Sequence, residues 1–238
     1  MRYRVQDLAY AAGFFDAEGC VVTSRHKRAT CEQLLLSAVI ANTNHEVLLW
    51  FQSLFGGNIV HCPAKARKQE HWRWSVWCNQ ASRFLHAIIS YLVLKREAAD
   101  WGVRLQLARL PAHRHLAFNH VRKANARKDH AKLERFLYQY EGRHKAALSY
   151  AAGFYDGEGN LHTCRTRRGY KDVNLQIGNT ELGVLVWLQY KFGGSIRERT
   201  GDPSFAGRKN RFWTLTVKSR QALTMVNRLK PYLRVKAA

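Results

Sequence analysis

Apolar and polar residues follow the same periodic order twice along this chain. Each half begins with a helical segment that contains the letters YAAGF, and two runs with strand character follow it. A short helix with apolar residues at helical spacing comes next and ends at a Phe-Gly-Gly stop signal. Two more strands and a last helix complete each half, so the pattern predicts two αββαββα units. The predicted bounds of these elements are 20–28, 33–42, 45–55, 58–65, 71–78 and 81–94, and 160–167, 172–179, 181–192, 195–200, 210–218 and 219–233.

The two halves are also similar letter by letter. Residues 8–19 read LAYAAGFFDAEG and residues 148–159 read LSYAAGFYDGEG, with nine of twelve positions identical. Further motifs recur in the same order at offsets of 137 to 141 residues, ending with YLVLK and YLRVK. Two tandem copies of one unit predict an α+β fold with internal pseudo-two-fold symmetry. The first repeat, the linker and the second repeat span residues 1–96, 97–143 and 144–238.

Small side chains form a stripe on the first helix of each repeat. Positions i, i+3 and i+4 share one face of a helix, so three small residues there let another backbone approach closely. Each stripe could instead pack on its own sheet, but its occurrence in both repeats favours packing of one helix on the other. The stripes consist of Ala9, Ala12 and Gly13, and of Ser149, Ala152 and Gly153.

Two acidic residues stand at the end of each of these helices. A single Asp-x-Glu-Gly sequence is typical of a solvated turn, in which Gly19 would adopt a left-handed conformation. Two copies on converging helices would bring Glu18 and Glu158 together, at helix ends that already carry partial negative charge. A divalent cation would offset that repulsion, and hard oxygen ligands suit Mg²⁺, with Mn²⁺ or Ca²⁺ able to occupy the same sites. The duplicated acids therefore predict a metal site.

The charge balance indicates a polyanionic partner. The chain has 39 Lys and Arg residues against 17 Asp and Glu residues, a formal charge of +22. Nucleic acid is the first candidate. An anionic membrane surface is the second, but the chain has no run of about 18 apolar residues and its basic residues are spread throughout.

The cysteines and the first residues bear on the compartment. The five cysteines form neither a CxxC pair nor an even set, which favours a reducing compartment. The first residues lack the apolar core of a signal peptide. We therefore expect an intracellular protein of an organelle (chloroplast or mitochondrion) or of the bacterial cytoplasm.

The linker leaves two interpretations open. Residues 97–109 and 129–141 look helical, whereas Pro111 interrupts the pattern and a strongly basic run follows it. The linker is either a solvated connection or a helical layer that also contacts phosphates of a nucleic acid.

At this point the two helices resemble a known family. The segments AAGFFDAEG and AAGFYDGEG are similar to the signature of the LAGLIDADG homing endonucleases, with Ala11 and Ala151 in place of the first leucine. The resemblance covers nearly the whole chain, because the αββαββα unit is also that family's unit, and it is strongest to intron-encoded members from algal organelles. Fusion of two units in one chain implies a monomer that acts on a non-palindromic DNA site.

The resemblance also implies roles for matched residues. Glu18 and Glu158 stand at the position of the family's catalytic, metal-binding acid, and Asp16 and Asp156 at that of an acid that supports the helix end. A polar residue at the end of the second strand orients water, and a lysine after the aromatic-led turn lies near the scissile phosphate. These last two roles fall on Asn42 and Asn179, and on Lys95 and Lys236.

The same resemblance implies how double-stranded DNA would be bound. Two four-stranded antiparallel sheets would form a saddle whose strands enter the major groove, where base pairs are distinguishable. Alternation places Cys20, Val22, Ser24 and His26 on one face of the first strand, although a slip of one residue would exchange the faces. The candidate contact residues are His26, Arg28, Gln33, Lys65, Arg67, Arg73, Arg165, Arg167, Lys171, Arg197, Arg199 and Arg211.

The sequence therefore predicts a sequence-specific, Mg²⁺-dependent endonuclease. By resemblance it would make a double-strand break in a long asymmetric DNA site and leave short 3′ overhangs. Two alternatives use the same fold: a maturase that binds intron RNA, and a DNA-binding protein that does not cut.

Overall fold

A computed structural model of the chain describes residues 3–27, 32–64, 69–126, 133–165, 169, 171–199 and 211–236. The first repeat has the predicted αββαββα order. Its elements are α1 (Val5–Glu18), β1 (Gly19–Lys27), β2 (Glu32–Asn42), α2 (His45–Phe55), β3 (Asn58–Cys62), β4 (His71–Trp77) and α3 (Cys78–Ile88).

Three linker helices separate the repeats, and the second repeat has the order of the first. The linker helices are α4 (Arg96–Leu107), α5 (Pro111–Ala126) and α6 (Leu133–Tyr140). The second repeat consists of α7 (His144–Glu158), β5 (Gly159–Arg165), β6 (Lys171–Asn179), α8 (Leu182–Phe192), β7 (Ser195–Glu198), β8 (Trp213–Lys218) and α9 (Ser219–Leu229). A 3₁₀ turn, Lys230–Tyr232, follows α9.

Each repeat contains one antiparallel sheet of four strands, in the order β1-β2-β4-β3 and β5-β6-β8-β7. One face of the first sheet is buried beneath helices, because every second residue of β2 is apolar and inaccessible. These buried residues are Leu34, Leu36, Ala38 and Ile40. The predicted Phe-Gly-Gly stop signals are confirmed: Gly56 and Gly193 follow α2 and α8 with φ of +70° and +79°, a conformation that glycine adopts without strain.

The linker forms a packed layer on the first sheet. Gly102 of α4 lies so close to the sheet that an added Cβ would be 3.0 Å from a methyl carbon of Leu36. Helix α5 begins at Pro111, because proline is tolerated in the first turn, where the missing N–H has no helical partner. The side chain of Asn125 donates to the carbonyl of Val21 at 2.7 Å, which fixes the end of α5 on β1. The predicted break at Pro111 is confirmed, since α4 ends at Leu107 and a new helix begins at Pro111, but the basic run that follows was not predicted to be helical.

The third linker helix packs on the second repeat. Phe136 of α6 is fully buried, and its ring stacks on Trp187 of α8 with 5.2 Å between centroids. Tyr140 donates from its hydroxyl to the carbonyl of Tyr91 at 2.7 Å, so α6 bridges the two repeats. None of the described helices is long and apolar enough to span a membrane.

Helices α1 and α7 lie against each other at the centre of the molecule. A Cβ added to Gly13 would lie 2.0 Å from the carbonyl oxygen of Tyr150, and one added to Gly153 would lie 2.2 Å from that of Tyr10. The backbones touch at these two points, and only glycine permits that distance. The structure thus places the two small-residue stripes face to face. Their other members, Ala9, Ala12, Ser149 and Ala152, are completely buried.

Candidate active site

The C-terminal ends of α1 and α7 meet between the two repeats. A Cβ added to Gly157 would lie 2.5 Å from Cβ of Ala17 and 3.0 Å from Cγ of Glu18. Glu18 and Glu158, the last residues of the two helices, therefore approach each other across this contact. The internal repeat of the sequence thus places one acid from each half of the chain at a single site.

Each glutamate is held by an asparagine from the end of the second strand of its own repeat. The amide Nδ2 of Asn42 donates to Glu18 Oε1 at 3.3 Å, and that of Asn179 donates to Glu158 Oε1 at 3.1 Å. The amide oxygens are used as well. Oδ1 of Asn42 accepts from the backbone N–H of Asn44 at 2.8 Å. Because both ends of each amide are occupied, Asn42 and Asn179 orient one carboxylate oxygen and leave the other available.

The two aspartates accept hydrogen bonds from backbone N–H groups of the segments that follow α3 and α9. Three consecutive N–H groups, those of residues 93–95, donate to the carboxylate of Asp16 at 2.8–3.0 Å. The N–H groups of residues 234–236 surround Asp156 in the same way at 2.7–3.0 Å. Both residues are 2% exposed, and hydrogen bonds to a charged carboxylate are stronger than those between neutral groups. Asp16 and Asp156 thus hold the YLVLK and YLRVK segments against the helix ends.

A pair of tyrosines crosses between the repeats. The hydroxyl of Tyr10 donates to Asp156 at 2.8 Å, and the hydroxyl of Tyr150 donates to Asp16 at 2.7 Å. All four side chains are buried. The sequence analysis assigned no role to these tyrosines, although their recurrence six residues before each aspartate was a usable signal.

The ammonium groups of Lys95 and Lys236 lie at the C-terminal ends of α1 and α7, close to the two glutamates. The ammonium of Lys236 donates to the carbonyls of Tyr155 and Asp156 at 2.9 and 2.6 Å, and the ammonium of Lys95 donates to the carbonyl of Asp16. Burial lowers the pKa of both lysines, and nearby carboxylates oppose that shift. A cation at these positions neutralises part of the negative charge of the helix ends and of the glutamates.

The two glutamates sit in an environment that disfavours their ionised forms. Burial raises the pKa of Glu158, and the neighbouring Glu18 raises it further, to about 7. Burial also raises the pKa of Glu18, while Lys236 and Lys95 lower it. Such a pair is typical of a site that receives a positive charge or a proton.

A cavity of about 210 Å³ opens beside Glu158 and is lined by Lys95, Asn125, Asn179 and Glu181 among others. Glu181 is 9% exposed, and its Oε2 has no hydrogen-bond partner among the described residues. The matched residue of the first repeat is Asn44, whose side chain caps α2 by accepting from a backbone N–H at 3.0 Å. Sequence analysis missed Glu181. The sequence does contain a signal for it, because Glu181 is an acidic residue at a position where the first repeat has a helix-capping asparagine.

Four of the predicted DNA contacts lie on the exposed face of a sheet. His26 of β1 pairs with Gln33 of β2, and Arg73 of β4 pairs with Ala41 of β2. Arg197 pairs with Thr214 in the second sheet. Arg28, Lys65, Arg67 and Arg167 lie outside the described residues.

The remaining predicted contacts among the described residues lie at or just beyond the ends of strands. Arg165 pairs with Lys171, on the side of the second sheet opposite to Asn160, because successive strand residues alternate between faces. Arg165 is exposed at the tip of its strand, so its contact with DNA stays a prediction. Arg211 lies 3.6 Å from the carboxylate of Glu198 in an exposed ion pair. Arg199 donates from Nε to Thr214 Oγ1 at 3.2 Å, and because Thr214 pairs with Arg197, Arg199 lies on the same side of the second sheet as Arg197.

The donors at the helix ends fit a hard cation with an incomplete protein shell. No three His, Cys, Asp or Glu side chains of the described ranges cluster closely enough to enclose a metal ion. Glu18 and Glu158 supply two carboxylates, and Mg²⁺ in proteins is typically held by one or two carboxylates together with water and phosphate oxygens. The arrangement therefore suits a cation that the protein and a phosphate hold jointly.

Comparisons with known proteins identify the fold. No protein-family model matches the chain, and no curated protein matches it. Among solved structures, I-SmaMI bound to uncleaved DNA target with calcium ions is 14% identical, with a TM-score of 0.67 over 99% of this chain and 87% of that one. A double mutant of I-SmaMI gives a TM-score of 0.69 at 14% identity, over 97% and 86% of the two chains.

A second solved protein has the same architecture. The LAGLIDADG homing endonuclease I-GzeII in complex with its DNA target is 14% identical, with a TM-score of 0.61 over 96% of this chain and 84% of that one. The similarity thus extends over both repeats and the linker. This chain therefore has the two-repeat fold of the LAGLIDADG homing endonucleases, as the two helix signatures predicted.

Proposed function

We propose that this protein is a sequence-specific DNA endonuclease that makes a double-strand break with the help of divalent cations. The observation that carries the proposal is the meeting of Glu18 and Glu158 at the contact of α1 and α7. The neighbouring solved structures support it, since I-SmaMI and I-GzeII are shown with DNA targets. The charge of +22 supplies the attraction to a phosphate backbone.

The residues around the glutamates have distinct tasks in this proposal. Asn42 and Asn179 fix the carboxylates by hydrogen bonds, which keeps their free oxygens directed at one place. Lys95 and Lys236 keep positive charge below the site, where a phosphate that gains negative charge during hydrolysis is stabilised. The two glutamates accept a proton or bind a cation, because their buried environment disfavours two uncompensated negative charges.

Mg²⁺ is the cation we propose, held by Glu18 and Glu158. When bound, it would lower the pKa of a water molecule and neutralise charge on the phosphate. The chain itself keeps the two carboxylates together without the ion. The close backbone contact at Gly13 and Gly153 does this, together with the backbone N–H groups that donate to Asp16 and Asp156.

The geometry also bears on the products and the target. Two acids at the meeting point of two helix ends can reach two DNA strands only where the phosphates of those strands lie close, which is across the minor groove, about 6 Å wide. Phosphates that face each other there are offset toward the 3′ ends, so we infer short 3′ overhangs. Because the two sheets differ in sequence, the two halves of the site would differ, and the chain would act as a monomer.

The test is cleavage of a duplex library with random or intron-junction inserts, in Mg²⁺ and in Ca²⁺. We expect cuts in Mg²⁺, and loss of double-strand cleavage in Glu18→Gln with binding to the selected site nearly unchanged. Replacement of the exposed Glu141 by glutamine is the matched control and should cut normally. Absence of cleavage by the unaltered protein, together with tight binding of intron RNA, would favour the maturase alternative. Specific DNA binding without any cut would favour the non-cleaving alternative.

A further inference from the structure

The exposed faces of the two sheets differ in chemistry at matched positions. In antiparallel pairs, residues directly opposite each other point to the same side. Val22 pairs with Ser37, which pairs with Trp77, so these three side chains form one row on the exposed face of the first sheet. The next row contains Cys20, Val39, Ser75 and Asn58.

The first of these faces carries large apolar side chains at its centre, together with the polar residues His26, Gln33 and Arg73. Val22, Val60 and Trp77 are 37%, 38% and 48% exposed. Leu35 and Val39 on β2 point the same way and are half-buried. Large apolar side chains that share one exposed face typically mark a surface that binds something.

The second sheet has polar residues in the same rows. His162 pairs with Asn174, which pairs with Lys218, so this row replaces valine, serine and tryptophan of the first sheet by three hydrogen-bonding side chains. The next row contains Asn160, Gln176, Thr216 and Ser195. The apolar Val39 thus corresponds to Gln176. The duplicated scaffold presents two different recognition surfaces.

We propose that the first sheet recognises its half of the DNA site through the C5-methyl groups of thymine, whereas the second sheet reads hydrogen-bonding base edges. The thymine methyl is the apolar group that a standard base pair presents in the major groove. Valine, leucine and tryptophan can bury it but offer no side-chain acceptor to a base. Asparagine and glutamine, by contrast, match the donor and acceptor of adenine.

DNA is the occupant that the molecule favours for this apolar face. The face is related by the internal pseudo-symmetry to the polar face of the second sheet, and both flank the glutamate pair at the helix ends. The strong positive charge of the chain complements a polyanion. This inference rests on the proposed function, since it concerns how the same DNA is recognised.

The experiment replaces thymine by uracil, one position at a time, in the duplex that the protein selects from a random library. Uracil lacks only the methyl group. We expect each contacted methyl to contribute about a fourfold change in Kd, and all such positions to lie in one half of the site. Substitution in the other half should change Kd less than twofold.

Variants assign the effect to a sheet. Val39→Gln introduces the residue of the second sheet and should abolish the discrimination between thymine and uracil at one of the contacted positions. Gln176→Val is the matched control: it should leave that discrimination intact and weaken binding to the other half. Far-ultraviolet circular dichroism and the melting temperature of each variant confirm that it folds.

Each outcome separates the inference from the proposed function. Failure to select any specific duplex would refute the proposed function. A selected site whose methyl dependence is absent, or is spread equally over both halves, would overturn the inference alone. Discrimination between thymine and uracil that persists at every position in Val39→Gln would also overturn it.

Discussion

Replacing Glu158 by glutamine should stabilise the protein at alkaline pH while it removes the proposed activity. The carboxylate is half-buried at the contact of α1 and α7, and burial together with Glu18 raises its pKa from 4.5 to about 7. The ionised form therefore disfavours the folded state. A difference of about 2.5 pKa units corresponds to about 3 kcal/mol, which is an upper limit because part of the site is solvated.

The sign of the pH dependence follows from the proton counts. Between pH 4.5 and pH 7 the unfolded chain binds fewer protons at Glu158 than the folded protein does, so the stability that this group contributes falls as pH rises through that window. Glutamine cannot ionise. The free energy of unfolding of Glu158→Gln should thus match that of the unaltered protein near pH 4.5 and exceed it by up to about 3 kcal/mol at pH 8.

The assay is urea unfolding at several pH values in the presence of a chelator, followed by tryptophan fluorescence. The same substitution at the exposed Glu141 provides the control for the loss of one carboxylate at the surface. Added Mg²⁺ should stabilise the unaltered protein more than Glu158→Gln, because a ligand that binds the folded state raises its stability. A stability difference that is constant with pH, or a variant that is less stable at pH 8, would show that Glu158 is not held in the disfavoured ionised form.

Two further substitutions test the packing around the site. Gly13→Ala should lower the free energy of unfolding by about 2 kcal/mol or more, because its Cβ would lie 2.0 Å from the backbone oxygen of Tyr150. Gly102→Ala meets only side chains, at 3.0 Å and beyond, and should cost less in the same denaturation experiment; equal losses would contradict the backbone contact. Glu181→Asn should raise the melting temperature, with a gain of about 1 kcal/mol, since it restores the helix cap that Asn44 provides in the first repeat. A lower melting temperature would mean that the buried carboxylate has a partner that stabilises it.

The duplication made the fold and the position of the acids predictable. One Asp-x-Glu-Gly segment would have been ambiguous, but Glu158 at the matching point of a second copy indicated a shared site. Strand alternation grouped Cys20 and Val22 on one face of β1, and the structure shows that this face is exposed and that Val21 on the other face is buried. These features depend on local periodicity and on symmetry, both of which are readable in a sequence.

Features that depend on contacts between distant residues were not readable. The hydroxyl of Tyr10 meets a carboxylate 146 residues away, and no local pattern specifies that pairing. The cavity beside Glu158 arises where the linker helix α5 meets the second repeat, so Glu181 acquires its environment only in the folded chain. Helix α5 was not predicted, because a proline in a sequence indicates a break in a helix, whereas Pro111 is the first residue of α5 in the structure.

The crossed tyrosines have a consequence for exchanging halves between proteins of this fold. Gene duplication normally leaves each copy free to diverge, yet here the helix end of each repeat is completed by a hydroxyl from the other one. A chimaera that joins one half of this chain to a foreign half would keep both helix ends closed only if the foreign half brought its own tyrosine and aspartate at these positions. Each repeat therefore depends on one tyrosine hydroxyl of the other repeat. Recombination between two such proteins preserves the fold where both of them carry the tyrosine and the aspartate.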